Sequence, residues 1–316
     1  MVDFKSLVKK KRTVDVTDLL KLFESLDRQT SHTDLRPAQL QALQTLSSRR
    51  KDRDTVLKIS TGAGKTTVAL LYLQSHMEEK EEPVVYLCPT NQLVEQVQQE
   101  AVNLGIEALV YPAGEPHPPV DGTSGKAIIL CTYDKLFNAI TTFDRSDVYL
   151  RPCAMVLDDA HAGVEEVRDA FTLRITGGGL HKNLLSLLGA QCEQFKPGLW
   201  QFILKGDPLR SLEVPFWIWQ PLLDETQRLL DSYSEDKTLI FVWPFLRDIL
   251  RWCRCVVSGA GIEIVPDVLP VNKSLAYSEA KHRLFMSATL ADDSVLVREL
   301  ALRHRFRQES CIAFNR

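Results

Sequence analysis

A glycine-rich segment at residues 60–67 constrains this chain more than any other feature. It reads STGAGKTT and follows the apolar run at residues 55–59, and a helix-like apolar stretch begins at Val68. In this strand–loop–helix context, small residues let backbone N–H groups turn toward an anion. Lys65 adds a positive charge there, and the Thr66 hydroxyl can hold Mg²⁺. An ordinary glycine turn is the alternative, but the context favours a nucleoside triphosphate as the first ligand.

Composition sets broad limits on the class of protein. The 316 residues predict about two structural units, and 45% hydrophobic with 25% charged residues is ordinary for a chain that buries a core. A net charge of −3 excludes a chain that is basic throughout, although a local basic groove remains compatible with it. No run reaches the ~20 apolar residues of a membrane span, and the charged residues 1–12 do not resemble a signal peptide.

The seven cysteines predict a reducing compartment. Cys88, Cys131 and Cys153 lie in or beside predicted buried strands, which is typical of reduced core thiols in a cytoplasmic protein, or a nuclear one in a eukaryote. Cys253 and Cys255 are separated by one residue, which is not the spacing of a usual zinc knuckle, so no metal is expected there.

Apolar runs alternate with amphipathic stretches over the first half of the chain. Strands are predicted at residues 55–60, 83–88, 107–111, 127–132, 154–158 and 283–287, and helices at 37–47, 65–77, 91–103 and 134–140. This alternation predicts an α/β fold, a parallel sheet with helices on both faces. Ligands of such sheets bind at the carboxyl ends of the strands, and most of the motifs below follow a predicted strand.

The alternation breaks between residues 163 and 282, which we interpret as a mainly helical insertion. Three glycines at residues 177–179 mark a flexible junction within it. Helices are predicted after them at 181–194, 222–233 and 244–256, and then an extended piece at 262–271. All five tryptophans lie here. Trp217 and Trp219 are predicted to share one side of an extended segment, where they could stack on unpaired bases or pack on another domain. Acidic residues at 224, 225, 231, 235 and 236 weigh against a nucleic-acid face.

A second chemical site follows the strand predicted at 154–158. The apolar run leads directly to Asp158 and Asp159, which places two carboxylates at a strand end facing the phosphate loop. Asp158 is predicted to hold Mg²⁺ through water, and Asp159 to orient or deprotonate an attacking water. A solvated acid pair at a loop edge is the alternative.

Taken in order, these motifs resemble those of the first RecA-like motor domain of superfamily 2 helicases of the DEAD/DEAH kind. Arg36-Pro37-Ala38-Gln39 resembles the adenine-recognition element, residues 60–67 resemble motif I, and residues 158–161 resemble motif II. The resemblance implies that ATP and Mg²⁺ bind, with Thr66 and Asp158 at the metal. It implies nucleotide binding by Arg36, Gln39, Thr61, Gly62, Ala63, Gly64, Lys65, Thr66 and Thr67, and catalysis by Lys65, Asp158, Asp159 and His161.

Three further motifs resemble the elements of these helicases that bind nucleic acid or couple it to the nucleotide. Residues 89–93 resemble motif Ia, residues 132–136 the threonine-leucine element, and residues 287–289 motif III. Contacts with a strand are implied for Pro89, Thr90, Asn91, Gln92, Thr132 and Tyr133, and coupling for Ser287, Ala288 and Thr289. Taken alone, Thr90 or Asn91 could instead cap the predicted helix at 91–103.

The chain departs from the helicase pattern in three ways. Motif II reads Asp-Asp-Ala-His where glutamate is usual in second place, which puts efficient hydrolysis in question. The insertion lies between motifs II and III, as in DNA helicases of the nucleotide-excision-repair type, but the clustered cysteines of their iron–sulfur site are missing, so no cluster is predicted. Nothing after Thr289 resembles a second motor domain.

We therefore predict three segments: 1–162 as the first part of a RecA-like ATP-binding domain, 163–282 as the insertion, and 283–316 as its return and linker. The predicted function is the ATP-binding motor half of a nucleic-acid helicase or translocase, with DNA favoured over RNA and slow hydrolysis without a second motor domain. A protein partner at the insertion is a further expectation. The alternatives are a nucleotide-gated protein-interaction module and a regulatory ATPase of a larger nuclease or defence complex.

Overall fold

The computed structural model describes residues 15–29, 34–60, 62–145, 150–288 and 294–302, and the backbone of 311–314. Within these ranges no helix combines the length and the apolar character that crossing a membrane requires. The strands are β1 Asp54–Ile59, β2 Val84–Cys88, β3 Ala108–Val110, β4 Ile128–Thr132, β5 Ala154–Leu157, β6 Leu173–Ile175, β7 Ser211–Glu213, β8 Cys253–Ser258, β9 Gly261–Pro266, β10 His282–Ser287 and β11 Cys311–Phe314.

The α-helices of the described ranges flank these strands. They are α1 Leu19–Ser25, α2 Pro37–Ser48, α3 Lys65–Lys80, α4 Asn91–Leu104, α5 Val120–Thr123, α6 Tyr133–Leu136, α7 Ala160–Ala170, α8 Gly178–Phe195, α9 Pro197–Leu204, α10 Phe216–Trp219, α11 Leu223–Ser232, α12 Lys237–Ile240, α13 Trp243–Leu246, α14 Leu275–Ser278 and α15 Ser294–Glu299. Short 3-10 turns occur at 142–144, 220–222, 247–252 and 271–273.

Seven strands form one parallel sheet in the order β11-β1-β10-β5-β2-β4-β3. All residues of β2 and β4 are buried, as expected for strands that are covered on both faces. The predicted α/β fold and its six predicted strands are confirmed, and β11 was not predicted. Because β10 lies between β1 and β5, the segment after the insertion separates the phosphate-loop strand from the strand of the acid pair.

Alternate residues of each central strand supply two hydrophobic cores. Leu57, Tyr86 and Val156 pack on the face covered by α1 to α4, whereas their neighbours Val85 and Leu157 pack on the opposite face. Helices α6, α7, α14 and α15 cover that second face. A strand residue therefore either faces α3, the helix after the phosphate loop, or faces away from it.

The insertion has a core of its own, built from residues between 173 and 264. It is mainly helical, as predicted, but it also holds a four-stranded antiparallel sheet in the order β6-β9-β8-β7, which the sequence reading missed. The boundaries of the three segments at 162 and 282 remain predictions.

Two predictions within the insertion are wrong. Residues 253–256 were predicted to be helical, but they belong to β8, where buried and more exposed residues alternate. Trp217 and Trp219 were predicted to lie in an extended segment, but both belong to α10. Two residues apart on a helix differ by about 200° in direction, so the two rings cannot share a side. Trp217 is 67% exposed and Trp219 only 3%.

Candidate nucleotide-binding site

The glycine-rich loop connects the carboxyl end of β1 to the first turn of α3. Gly62 and Gly64 have φ angles of +77° and +84°, values that favour glycine because a side chain is strained there. Gly64 is the N-cap of α3, a 16-residue helix whose first backbone N–H groups have no partner within the helix. These groups and the positive end of the helix dipole form an anion site. Ala63 belongs to the same loop, and Thr61 lies outside the described residues.

Arg36 and Gln39 hold the loop from α2. The Gln39 side-chain nitrogen donates to the Gly64 carbonyl at 3.1 Å, and the Arg36 backbone N–H donates to the Gln39 side-chain oxygen at 2.8 Å. The Arg36 guanidinium donates to the Gly62 carbonyl. In this structure both predicted adenine-recognition residues therefore brace the phosphate loop, while a role in reading the base remains a prediction.

A cleft of about 530 Å³ opens over this loop. It is lined by Phe23, Asp34, Leu35, Arg36, Gln39, Gly62, Gly64, Lys65, Thr66, Thr67, Gln96 and Glu100. Most of the predicted nucleotide-binding residues are thus brought together. Phe23 on α1 and Gln96 and Glu100 on α4 were missed by sequence reasoning, since no local motif marks them. The Thr67 hydroxyl donates to Glu100 at 2.7 Å and so ties α3 to α4 beside the cleft.

Asp158 follows β5 and is held by two donors. The Tyr86 hydroxyl donates to its Oδ2 at 2.9 Å, and the Asp159 backbone N–H donates to its Oδ1 at 2.8 Å. Burial raises the pKa of the Asp158 carboxyl, while the positive charge of Lys65 opposes that rise. The carboxylate predicted to hold the metal therefore feels the charge of the phosphate-loop lysine.

Asp159 and His161 lie at the start of α7. Asp159 is half-buried and has a left-handed backbone, with φ at +41°. A non-glycine residue in this region costs on the order of 1–3 kcal/mol and persists only when its surroundings hold it. The Asp159 carbonyl accepts from the Gly163 backbone N–H at 2.8 Å, which begins the helix. His161 is the second residue of α7, and its side chain is exposed.

The motif Ia candidates lie at the start of α4. Thr90 is the N-cap, and its hydroxyl accepts from the Leu93 backbone N–H at 3.3 Å, so the capping alternative does occur. Thr90, Asn91 and Gln92 are nevertheless exposed, and Pro89 is half-buried. Capping therefore leaves this surface accessible to a ligand.

Thr132 and Tyr133, the other predicted strand contacts, lie at the junction of β4 and α6. Both are buried, and the Tyr133 hydroxyl donates to the Asp158 carbonyl at 2.8 Å. A Cβ atom on Gly163 would stand 2.4 Å from the Tyr133 ring, so this glycine makes room for it. The Tyr133 side chain thus links the end of β4 to the acid pair from inside the protein.

The motif III candidates begin at the last residue of β10, the strand between those of the phosphate loop and the acid pair. Ser287 is fully buried and Ala288 half-buried, while Thr289 lies outside the described residues. Since the carboxyl ends of β1, β10 and β5 are neighbours in the sheet, Ser287 lies at the strand end between the phosphate loop and the acid pair.

The residues present fit magnesium rather than a protein-only metal cage. No group of three or more His, Cys, Asp or Glu side chains among the described residues could hold a metal ion. Mg²⁺ commonly takes one or two carboxylates together with phosphate oxygens and water, which Asp158, Thr66 and a bound phosphate would supply. The six cysteines within the described ranges are buried and free.

Comparison with known proteins adds one family and one fold. Residues 36–176 match the family model of the DEAD/DEAH box helicases. The structure of S. tokodaii Xpd4 is similar, with 16% identity, 89% of this chain and 61% of that chain covered, and a TM-score of 0.51. An XPD helicase structure is also similar, with 13% identity, 89% of this chain and 62% of that chain covered, and a TM-score of 0.51. The chain thus spans about three fifths of both structures. No curated protein matches it.

Proposed function

Since residues 36–176 carry a DEAD/DEAH box helicase domain, we propose that this chain is the ATP-binding motor half of a nucleic-acid helicase or translocase. One observation supports this proposal above the others. The glycine-rich loop and Lys65 line one cleft, and the Lys65 charge acts on the buried Asp158 carboxylate at the end of a neighbouring part of the same parallel sheet. Such an arrangement can bind a triphosphate and a metal ion together.

The proposal gives the predicted catalytic and metal-binding residues their tasks. The loop amides and Lys65 bind the phosphates, Thr66 and Asp158 hold Mg²⁺, and Asp159 orients the attacking water. Mg²⁺ bound there supplies charge neutralisation for the phosphate oxygens. Asp159 is one methylene shorter than glutamate, so its carboxylate must work closer to the water or through a second water molecule. This shorter reach puts the efficiency of hydrolysis in question. His161, in the first turn of α7, is assigned the link between the nucleotide and the bound strand.

A nucleic-acid strand is proposed to lie over the start of α4, whereas the burial of Thr132 and Tyr133 at the start of α6 leaves these two predicted contacts without an accessible side chain. The exposed Thr90, Asn91 and Gln92 offer hydroxyl, amide and backbone N–H donors, which bind phosphates without reading sequence. DNA is favoured over RNA because the insertion occupies a position typical of DNA helicases. Ser287 and Ala288 couple this surface to the nucleotide.

The proposal also includes a second motor domain, supplied outside the residues described. In related phosphoryl-transfer enzymes an added arginine contributes about 10³–10⁵ in rate by stabilising transition-state charge. Without such a group the cleft should bind ATP and turn it over slowly. We place this protein in the cytoplasm, as its buried free thiols suggest.

The decisive experiment measures ATP hydrolysis by this chain with and without single-stranded DNA and single-stranded RNA. A second set adds the motor domain of a longer relative. Slow basal turnover that one nucleic acid raises supports the proposal and identifies the track. Turnover that ignores both nucleic acids in every mixture contradicts it, and Asp158→Asn serves as the inactive reference.

A nucleotide-gated interaction module is the second candidate, and an exposed aromatic surface on the insertion favours it. Phe216 and Trp217 are 71% and 67% exposed, and the Trp217 ring contacts Phe195 with centroids 5.8 Å apart. Exposed aromatic rings of this kind are enriched at protein interfaces. Nucleotide-dependent capture of a partner, lost in Trp217→Ala and insensitive to nucleic acid, would favour this function over the motor.

A further inference from the structure

Tyr86 contacts the acid pair from the neighbouring strand β2, and the proposed motor chemistry does not yet use this contact. It is the middle residue of β2 and is fully buried on the face covered by α3. Its hydroxyl donates to Asp158 Oδ2 at 2.9 Å. The opposite oxygen of the same carboxylate accepts the Asp159 backbone N–H, so both Asp158 oxygens have a fixed partner.

The surroundings of this hydroxyl keep it a donor. Burial, followed by the charge of Asp158, raises the pKa of the Tyr86 phenol, so the phenol stays protonated and its proton is available to Asp158. Asp158 is one of the two residues to which we assign the magnesium ion.

Packing alone does not require this hydroxyl. The other four residues of β2 are apolar or thiol side chains, and phenylalanine would fill almost the same volume. A buried hydroxyl is costly unless it is hydrogen-bonded. The partner of this hydroxyl is the Asp158 carboxylate of the candidate metal site, so the site rather than the core accounts for the oxygen.

We propose that Tyr86 is a positioning residue that fixes the orientation of the Asp158 carboxylate for Mg²⁺. This inference rests on the proposed nucleotide and metal site. A carboxylate oxygen that accepts one hydrogen bond retains a second lone pair, so Asp158 can still bind a metal-coordinated water while Tyr86 holds its orientation.

The test is Tyr86→Phe, measured by the binding of a fluorescent ATP analogue rather than by turnover. The analogue is titrated in EDTA and then at rising concentrations of MgCl₂. Groups that orient a metal ligand typically contribute 10- to 100-fold in metal affinity, so the magnesium concentration for half-maximal enhancement should rise about 10-fold. In EDTA, the affinity of Tyr86→Phe for the analogue should stay within about twofold of that of the unmodified chain, because the phosphate loop is unchanged.

Tyr277→Phe is the matched control. Tyr277 is also fully buried, and its hydroxyl donates to the Leu300 carbonyl at 2.6 Å on the other face of the sheet. Tyr277→Phe should lose about as much stability as Tyr86→Phe, but the magnesium dependence of nucleotide binding should stay unchanged. A cycle with Asp158→Asn adds a second measurement, since Tyr86→Phe should have no further effect once the carboxylate is gone.

The outcomes separate this inference from the function on which it rests. A normal magnesium dependence in Tyr86→Phe, or equal shifts in both tyrosine variants, overturns the positioning role alone. An unmodified chain whose nucleotide affinity ignores magnesium overturns the metal site and the positioning role together. A shift confined to Tyr86→Phe and absent in the Asp158→Asn background supports the inference.

Discussion

Lys65 is the residue on which nucleotide binding should depend most. It is half-buried in the first turn of α3, and its charge reaches the buried Asp158 carboxylate. Charge-assisted hydrogen bonds contribute about 1.5–3 kcal/mol, so Lys65→Ala should weaken ATP binding about 10- to 100-fold in a calorimetric titration. Lys51→Ala, at an exposed position before β1, is the control. Equal affinity in both variants would remove Lys65 from the site.

Asp159 should affect turnover rather than binding. Asp159 directly follows the acid to which we assign the metal, and its backbone is left-handed. Its proposed task is to orient the attacking water. Asp159→Asn should keep ATP affinity near that of the unmodified chain and lower hydrolysis by roughly 10²–10⁴-fold. The exposed Glu165→Gln on the same helix is the control. A parallel loss of affinity and turnover would show that Asp159 serves the metal or the fold instead.

His76 should make the fold sensitive to acid. It is 1% exposed on α3, both ring nitrogens have no hydrogen-bond partner within the described residues, and its ring stacks on His282 at 4.5 Å. Burial, followed by the charges of Arg50 and His282, lowers the pKa of His76 to about 3, with Glu79 opposing and Lys80 adding to the shift. In the unfolded chain the His76 ring therefore binds a proton below about pH 6.5, whereas in the folded chain it stays neutral until the pH falls to about 3.

The direction in which stability changes with pH follows from this difference in the His76 pKa. The stabilising contribution is complete above about pH 6.5 and is lost progressively as the pH falls toward about 3. Between about pH 8 and about pH 5 the His76 contribution to the free energy of unfolding should fall by about 2 kcal/mol. Urea unfolding at the two pH values measures it. His76→Leu should remove this part of the pH dependence, and the exposed His117→Leu should not.

At the scale of elements, the phosphate loop is fixed by α2 as well as by its own glycines. A Cβ atom on Gly64 would stand 2.1 Å from the Gln39 side-chain nitrogen, and the backbone there is left-handed. Gly64→Ala should cost about 1–3 kcal/mol in unfolding free energy and weaken nucleotide binding, because the loop must shift.

Gly189→Ala is the control for Gly64→Ala, because it also adds a methyl group to a glycine. Gly189 lies inside α8, and a Cβ atom there would meet nothing within 4 Å. Alanine in a helix interior is favoured over glycine by about 1 kcal/mol, so this variant should be neutral or more stable. Thermal unfolding and nucleotide titration of both variants make the comparison. Equal behaviour of the two would show that the close contact with Gln39 has no consequence.

The local sequence pattern correctly predicted the elements that belong to the central parallel sheet and its flanking helices. Strands β2 and β4 are continuous apolar runs, and helices α3 and α4 follow directly on the motifs. Strand β8 and helix α10 were missed because their apolar residues face a core assembled from distant segments of the insertion. For such short runs, partners remote in sequence decide between helix and strand.

For the whole molecule, the central sheet depends on pairing across the insertion. Arg283 on β10 donates twice to Asp54 on β1, at 2.6 and 2.8 Å, and both side chains are 1–2% exposed. Removing one partner of such a pair costs about 3–5 kcal/mol, because the other charge stays buried. Arg283→Met should lower the unfolding free energy by that amount, as measured in urea.

The exposed Arg254–Asp267 pair provides the comparison. Its side chains are 47% and 55% exposed at 2.8 Å, so Arg254→Met should cost less than about 1 kcal/mol. Combining Arg283→Met with Asp54→Leu should recover much of the loss, since no uncompensated charge remains. A small effect of Arg283→Met alone would mean that Asp54 finds other compensation.

The sequence by itself determined the parallel α/β sheet, the glycine-rich loop and the positions of Lys65, Thr66, Asp158 and Asp159, because these depend on local period and on motifs a few residues long. Only the tertiary structure decided that Gln39 and Arg36 brace the loop, that Phe23 and Glu100 line the cleft, and that Tyr86 and Tyr133 hold Asp158. Those contacts join residues between 25 and 72 positions apart. Their physical cause is the packing of neighbouring strands and helices, which no local pattern records.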